Sequence, residues 1–326
     1  MKRICLFAGY DDKNIIHNYV VYYLKELSTV SDIYYLADNE ISEEEKLKIM
    51  PYVKEAYGFN HKKYDFGSWQ ELIKIIGWEK ILEYDELILA NDSVFGPLYP
   101  MKDFIGKIEK DTEWDVCGID RVYSLNTNRW YCSSFFLIFK KNALSSGILQ
   151  TVFNNIPDRV TYDYAVKELE NPLMESFYKQ GYNVKAFCGL NKNIFFSWQE
   201  FCSAGVPFIK KKIFNKDIFD TCHKSDWKEY MKNNTNYNIL YIEDYANGNE
   251  KVHLEYIPAK PLNPFVKTLK DFYKWLIRIN IKKGKFYFKL FGIYIVKINK
   301  KHYTYILFGK QMKSKMNIIP IKIINQ

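Results

Sequence analysis

The sequence lacks the short motifs that mark the commonest nucleotide and metal chemistries. It has no G-x-G-x-x-G and no G-x-x-x-x-G-K-[ST], which argues against a Rossmann dehydrogenase and a P-loop NTPase. The six cysteines, Cys5, Cys117, Cys132, Cys188, Cys202 and Cys222, include no C-x-x-C pair, and the five histidines form neither H-x-H nor H-E-x-x-H. That pattern argues against a zinc site and against a disulfide framework. No apolar run approaches the ~20 residues that a membrane-spanning helix needs. The apolar stretch near the N-terminus is too short for a secretory signal and meets Asp11 and Asp12 at once. These absences predict a protein that stays in the cytoplasm, soluble or peripheral to the membrane.

Acid is almost missing from one end of the chain. Residues 259–326 hold fifteen Lys and one Arg against the single acid Asp271, so of the total +9 the preceding 258 residues carry −6. Pro258, Pro261 and Pro264 mark the joint, which divides the chain into 1–258 and 259–326. What is abundant is apolar and aromatic: 48% of the 326 residues are hydrophobic, with 27 Tyr and 23 Phe. That composition describes a globular protein with an ample core.

The body alternates short apolar runs with helical periodicity, which predicts an α/β sheet domain. Strands are expected over Arg3–Ala8, Asp32–Ala37, Val53–Phe59, Glu86–Ala90, Trp114–Ile119, Tyr131–Phe139 and Asn183–Phe187. Glu86–Ala90 is the most apolar of its half and should be central. Helices are expected over Lys13–Leu27, from a capping box at Ser42 and Glu45 to about Met50, and over Asp163–Gln180, which Gly181 stops. Tyr64–Trp69 reads as a loop leading into another helix.

In an open, largely parallel sheet, ligands bind at the carboxyl ends of the strands. Three acid-bearing loops fall there: Tyr10-Asp11-Asp12, Tyr64-Asp65 and Asn91-Asp92-Ser93. Asp92 leaves a buried strand into a polar turn and is placed to hold a divalent cation or a ribose; Asn, Asp and Ser also favour turns for their own sake. Asp65 can accept from a base or ribose or serve the following helix, and Gly67 would let the backbone approach a ligand. Glu170, at the start of a helix packing on Leu173 and Phe177, has the type and place of a general base, although such acids often only complement the helix dipole. Lys210-Lys211-Lys212 can neutralise a diphosphate or form a solvated face. In the tail, Phe265, Leu269, Phe272, Leu276 and Ile279 share one helical face while Lys267, Lys270, Lys274 and Arg278 share the other. That segregation predicts a basic amphipathic helix on an anionic membrane surface and disfavours a nucleic-acid arm.

Several of these pieces, in this order, resemble the rhamnan synthesis protein F family of bacterial polysaccharide glycosyltransferases: Tyr64-Asp-Phe-Gly-Ser-Trp69, Leu89-Ala-Asn-Asp-Ser-Val-Phe-Gly-Pro97, Ser134-Phe-Phe-Leu-Ile-Phe139, Glu170 with Leu173 and Gly181, Ser197-Trp198, and Pro207-Phe-Ile-Lys210. The resemblance covers residues 1–212. It implies a GT-A-like fold, a mixed sheet flanked by helices, and transfer of a deoxysugar, often L-rhamnose from dTDP-rhamnose, onto a glycan. Asn91-Asp92-Ser93 stands where such enzymes carry an Asp-x-Asp metal motif, so the resemblance implies Mg²⁺ or Mn²⁺ as cofactor on Asp92; the partner acid is absent here, which argues against strict metal dependence. Glu170 stands where inverting relatives place the base, eleven residues before Gly181-Tyr182. By the same resemblance Tyr10, Asp11, Asp65, Asn91, Asp92, Ser93 and Arg121 would bind the donor. Ser133, Ser134 and Trp198 would bind the acceptor, and Lys210 would offset charge on the departing diphosphate. Acceptors of this kind are built on polyprenyl lipids at the cytoplasmic face of the membrane. The competing expectation is a non-catalytic glycan-binding or scaffold protein that keeps the sheet without the chemistry.

Overall fold

The computed structural model describes residues 1–124, 129–214 and 227–247, and five strands between 277 and 315. Two compact units are present, Met1–Leu262 and Asn263–Gln326. In the first unit the strands are β1 (Arg3–Gly9), β2 (Asp32–Ala37), β3 (Glu55–Gly58), β4 (Glu86–Asn91), β5 (Val94–Phe95) and β6 (Val116–Gly118). They continue with β7 (Val122–Ser124), β8 (Arg129–Tyr131), β9 (Phe136–Lys140), β10 (Val184–Ala186) and β11 (Ile209–Lys210).

Strands β1 and β4 are buried along their whole length. Their side chains alternate between two apolar clusters, with Cys5, Phe7, Ile88 and Ala90 in one and Ile4, Leu6, Leu87 and Leu89 in the other. A strand covered on both faces has no polar side to show, which is why these two read as continuous apolar runs. They form the middle of a seven-stranded sheet of order β10-β6-β9-β4-β1-β2-β3, as the expectation for Glu86–Ala90 required. The sheet is parallel except for β9, which runs antiparallel to both β4 and β6. The chain winds outward from β1 through β2 to β3 and then returns to place β4 on the other side of β1. That reversal leaves a crevice outside the carboxyl ends of β1 and β4.

Five local expectations change. The first helix runs over Asn18–Leu27, not from Lys13. Asp11 accepts from the backbone of Lys13 (2.9 Å) and Ile15 (3.3 Å) and from His17 Nε2 (2.7 Å), and Asn14 takes a φ of 61°. A short acidic side chain that captures these donors competes with the helix for them. Ser42 does cap the next helix, Glu43–Ile49, accepting from Glu45 N. Glu45 itself accepts from Ile16 N (2.5 Å), joining this helix to the segment before the first, and pairs with Lys48 of its own helix (2.6 Å).

Tyr64–Trp69 is not a loop. The helix Tyr64–Ile76 starts at Tyr64, because Asp38 at the end of β2 accepts from His61 N (2.8 Å), Lys62 N (2.8 Å), Lys63 N (3.2 Å) and Tyr64 N (3.2 Å). One carboxylate thus gathers the turn at His61–Lys62 and satisfies the N–H groups of the N-cap Lys63 and of Tyr64, which a helix start leaves without partners. Gly67 sits inside that helix, where a Cβ would lie 2.2 Å from Lys63 Cβ and 2.7 Å from His61 Nδ1. Its smallness serves the packing of the His61–Lys63 turn and not the approach of a ligand.

The predicted strand Tyr131–Phe139 is split into β8 and β9 by residues 132–135, and the predicted helix Asp163–Gln180 is split too. It comprises a turn at Tyr162–Tyr164, a π-helical segment Ala165–Glu170 and an α-helix Asn171–Lys179. Pro172 lacks the N–H that would continue the α-helical ladder, and wide i→i+5 turns recur at functional sites.

The second unit is an antiparallel meander of β12 (Ile277–Lys282), β13 (Lys285–Leu290), β14 (Ile293–Ile298), β15 (His302–Leu307) and β16 (Lys310–Lys315). The amphipathic helix expected from Phe265 lies outside the described residues except at its end, where Arg278 and Ile279 belong to β12. The alternation Ile277-Arg278-Ile279-Asn280-Ile281-Lys282 fits a strand period of two as well as it fits one helical face.

Replacing Gly67 by Ala forces a methyl group onto Lys63 and His61, so Gly67→Ala should lose about 1–3 kcal/mol of unfolding free energy. Urea denaturation measures this; an unchanged midpoint would show that the turn at 61–63 yields freely.

Candidate functional site

The crevice edge collects residues from many segments. The parallel strands β1, β2, β4 and β6 end there, and antiparallel β9 begins there, so the chain delivers Tyr10, Asp38, Asp92, Asp120 and Ser134 to one side of the sheet. The pairing of β5 with β11 then sets Lys210 opposite Val94 and joins Lys211 N to the Ser93 carbonyl at 2.9 Å. Two lysines more than a hundred residues downstream are thereby placed beside the Asn91-Asp92-Ser93 turn.

A cavity of roughly 650 Å³ opens at this edge. Among the residues named from sequence, Asp65, Asn91, Ser93, Arg121, Ser133, Ser134, Glu170 and Lys210 line it, together with Asp120. Asn91 holds the floor: its amide donates to Asp65 Oδ2 (2.7 Å), and its Oδ1 accepts from Ser93 N (3.1 Å) and Ser93 Oγ (2.7 Å). Lys210 Nζ donates to Ser93 Oγ at 3.1 Å and lies 4.2 Å from the centroid of the Phe135 ring. The break between β8 and β9 has its cause here. Ser133 donates from N (3.0 Å) and Oγ (2.9 Å) to Asp120, and Ser134 N donates to Glu170 Oε1 at 2.6 Å. Two successive residues leave the ladder to hold the buried Asp120 and the half-buried Glu170.

Burial governs the charge states. It raises the Glu170 pKa above its ordinary value, with Asp120 adding to the rise while the Ser134 bonds and Lys210 oppose it. Burial raises Asp120 against the same lysine and the Ser133 bonds. Asp65 is pushed up to about 7, first by burial and then by Asp92 and Glu170, against Lys210 and the Asn91 amide. Lys210 is lowered by burial although all three acids favour its charge. The group therefore holds an acid that stays partly protonated near neutral pH beside a carboxyl that binds protons better than a solvated one.

The mouth is aromatic and basic. The Arg121 guanidinium lies 4.5 Å from the Trp130 ring centroid, Trp130 meets Tyr123 edge-on, and Lys212 lies 4.7 Å from the Tyr162 ring centroid. Tyr64, Tyr123 and Tyr162 are exposed there, and such faces suit the apolar side of a sugar or a base.

Four expected site residues lie elsewhere. Trp198 is 2% exposed, packed edge-on against Tyr230 in the core, so it supports the segment leading to β11 and cannot reach an acceptor in this cavity. Asp11 is occupied by its own loop. Burial pushes its pKa up, but the bond and charge of His17 and the N–H groups of Lys13 and Ile15 more than reverse this. Tyr10 is 56% exposed and offers its N–H to Asp92 Oδ2 at 3.2 Å. Asp92 does not line the cavity shared by Asn91 and Ser93, because successive residues leaving a strand point to opposite sides. Its Oδ2 faces Lys211 Nζ at 3.5 Å, and Lys211 also donates to Tyr19 Oη at 2.7 Å.

This surrounding does not fit a divalent cation on Asp92. Asp65, which Asp92 pushes toward its protonated form, is itself partly protonated near neutral pH, and among the described residues no three His, Cys, Asp or Glu side chains are grouped to hold a metal. An ion bound at Oδ2 would sit close to an ammonium. At ~4 Å, near a protein surface, that repulsion is about 4 kcal/mol per unit charge and double for a divalent ion.

Asp120, Lys211 and Lys212 were not singled out individually as site residues from sequence. Asp120 carried the same mark as Asp92, an acid just past the end of an apolar strand; Lys211 had no local mark beyond the run of lysines.

The sequence model of the family described as "RgpF: Rhamnan synthesis protein F" matches residues 33–321, and the chain belongs to that family. No curated protein sequence matches it. Among solved structures it is similar to the glycosyltransferase GlyE of Streptococcus pneumoniae, at 12% identity and a TM-score of 0.41 over 78% of this chain and 66% of that one. It is also similar to a mannosyltransferase of Pyrobaculum calidifontis in complex with GDP-Man and Mn²⁺, at 8% identity and a TM-score of 0.36 over 74% and 69%. A cytidylyltransferase of Leptospira borgpetersenii matches at 9% identity and a TM-score of 0.35 over 59% and 77%.

The Asp65 pKa has a thermodynamic consequence. Between its ordinary 3.8 and about 7, the folded chain keeps a proton that the unfolded chain has released, so this group's contribution to stability falls as pH rises through that window. Asp65→Asn removes the fall. Urea midpoints of the variant should gain on wild type between about pH 4 and pH 8, by an amount on the order of a few kcal/mol. Parallel pH profiles for the two chains would contradict the assignment.

Proposed function

We propose that the protein is a glycosyltransferase that moves a sugar from a nucleotide-diphospho-sugar to a hydroxyl of a glycan acceptor. Family membership supports the reaction class, and the observation that carries the mechanism is the buried Glu170 carboxyl, held by Ser134 and facing the same cavity as Lys210. A carboxylate whose proton affinity is raised by burial is a better base at neutral pH than a solvated one.

In this reading Glu170 takes the proton of the acceptor hydroxyl as its oxygen attacks the anomeric carbon. The bond from that carbon to the diphosphate oxygen breaks, and its electron pair leaves with the diphosphate. Attack opposite the leaving group inverts the centre. Lys210 offsets the charge that builds on the leaving oxygens, and Arg121 and Lys212 at the mouth contribute to the same field. Asn91 and Asp65 set the donor side, and Ser133, Ser134 and the exposed tyrosines set the acceptor side. L-rhamnose from dTDP-rhamnose is the favoured donor and a polyprenyl-linked surface glycan the favoured acceptor, both from the family resemblance.

The basic C-terminal part supports work at a membrane surface. No helix among the described residues is long and apolar enough to cross a membrane. Each Lys or Arg near anionic lipid contributes ~1 kcal/mol, so a fraction of the sixteen basic residues in 259–326 suffices to hold the protein at the cytoplasmic face.

The test is sugar transfer by the full chain, read by mass spectrometry with dTDP-rhamnose and a polyprenyl-diphosphate-linked glycan. Glu170→Gln should lower turnover by about 10²-fold or more while nucleotide binding is kept. Full activity in that variant would exclude Glu170 as the base, and absence of transfer from every nucleotide sugar in wild type would favour the scaffold alternative.

A further inference from the structure

We infer that Lys211, together with Lys210, takes the place of a divalent cation at the donor diphosphate, so that donor binding and transfer proceed without metal. The inference rests on the transferase reading and concerns how that same site holds its donor.

Four observations carry it. The acid at the end of the central strand already has a cation: Lys211 Nζ stands 3.5 Å from Asp92 Oδ2. That ammonium is held in a built position. It donates to Tyr19 Oη at 2.7 Å and lies 5.3 Å and 5.0 Å from the ring centroids of Tyr19 and Tyr245, while Tyr19 Oη donates to the Asp92 carbonyl at 3.1 Å. Ring faces attract a cation, and their rigidity fixes where it sits.

The two lysines divide the turn between them. Lys210 donates to Ser93 Oγ on the cavity side, and Lys211 meets Asp92 on the other, as neighbours on an extended segment must. The two ammonium groups thus stand on either side of Asn91-Asp92-Ser93, with Lys211 at the acid where a divalent ion would bind. Finally, the location is the crevice between β1 and β4, bordered by the exposed Tyr10 and its N–H, where anionic ligands of such sheets settle.

The arrangement differs from an ordinary lysine on phosphate. Asp92 orients the ammonium in the way a metal-binding acid orients its ion, and the diphosphate would complete the ammonium's donors as it would complete a metal's coordination sphere. A divalent ion would have to displace Lys211 before it could bind.

The experiment uses the full chain freed of metal with EDTA and titrated with dTDP, UDP, GDP and CDP by calorimetry, then repeated with millimolar Mn²⁺ or Mg²⁺. The expected result is that one nucleoside diphosphate binds in EDTA with an affinity that metal changes by no more than about twofold. In Lys211→Ala, checked for folding by circular dichroism, affinity in EDTA should fall about tenfold or more, and Lys211→Arg should restore most of it, as expected for loss and return of a charge-assisted contact. Binding by wild type only in the presence of metal overturns the inference and leaves the transferase reading intact. Equal affinities for wild type and Lys211→Ala in EDTA overturn it as well. Failure of every nucleoside diphosphate to bind under either condition defeats both together.

Discussion

One ammonium group organises the candidate site. Lys210 lies against the Phe135 ring and acts on Asp65, Asp120 and Glu170, three acids whose proton affinity burial raises. A buried charge is tolerated only when it is paired or hydrogen-bonded. Here Lys210 donates to Ser93 Oγ while the three acids favour its charge through space. The lysine reaches this place through the short β5–β11 pairing, whose Val94, Phe95 and Ile209 are fully buried, so that two-stranded ladder holds the chemistry.

The larger fold follows the same economy of position. Parallel strands bring several loops to one edge, and the single antiparallel strand β9 adds its start to the same edge. The loops are then fixed by side chains that consume backbone donors: Asp38 under the helix Tyr64–Ile76, Asp11 in the first loop, Asp120 and Glu170 at the turn before β9. Acids thus play two parts. Asp38 and Asp11 spend their oxygens on the chain itself, whereas Asp65, Asp120 and Glu170 face a cavity and keep raised proton affinities.

What the sequence made legible divides along that line. The uninterrupted apolar runs of β1 and β4 announced a sheet covered on both faces, and Ser42 announced its helix, because both depend on residues close in the chain. The acid at the rim of each strand was legible as a position, though not as a partner. Nothing local to Asp92 predicts Lys211, since their meeting depends on the β5–β11 register, and nothing in Tyr131–Phe139 predicts the break at 132–135, which exists because Asp120 and Glu170 claim two N–H groups from outside that run. Trp198 shows the converse error: an aromatic in a family motif was assigned to a ligand although its bulk is what fills the core behind β11.

The most direct measurement of the shared electrostatic cluster is a carbon-detected NMR titration of side-chain carboxyl groups in wild type and in Lys210→Met. With the ammonium gone, Asp65, Asp120 and Glu170 should all titrate at higher pH than in wild type, moving together because each loses the same neighbour. Three unshifted titration curves in the variant would mean that the lysine and the acids do not form one site.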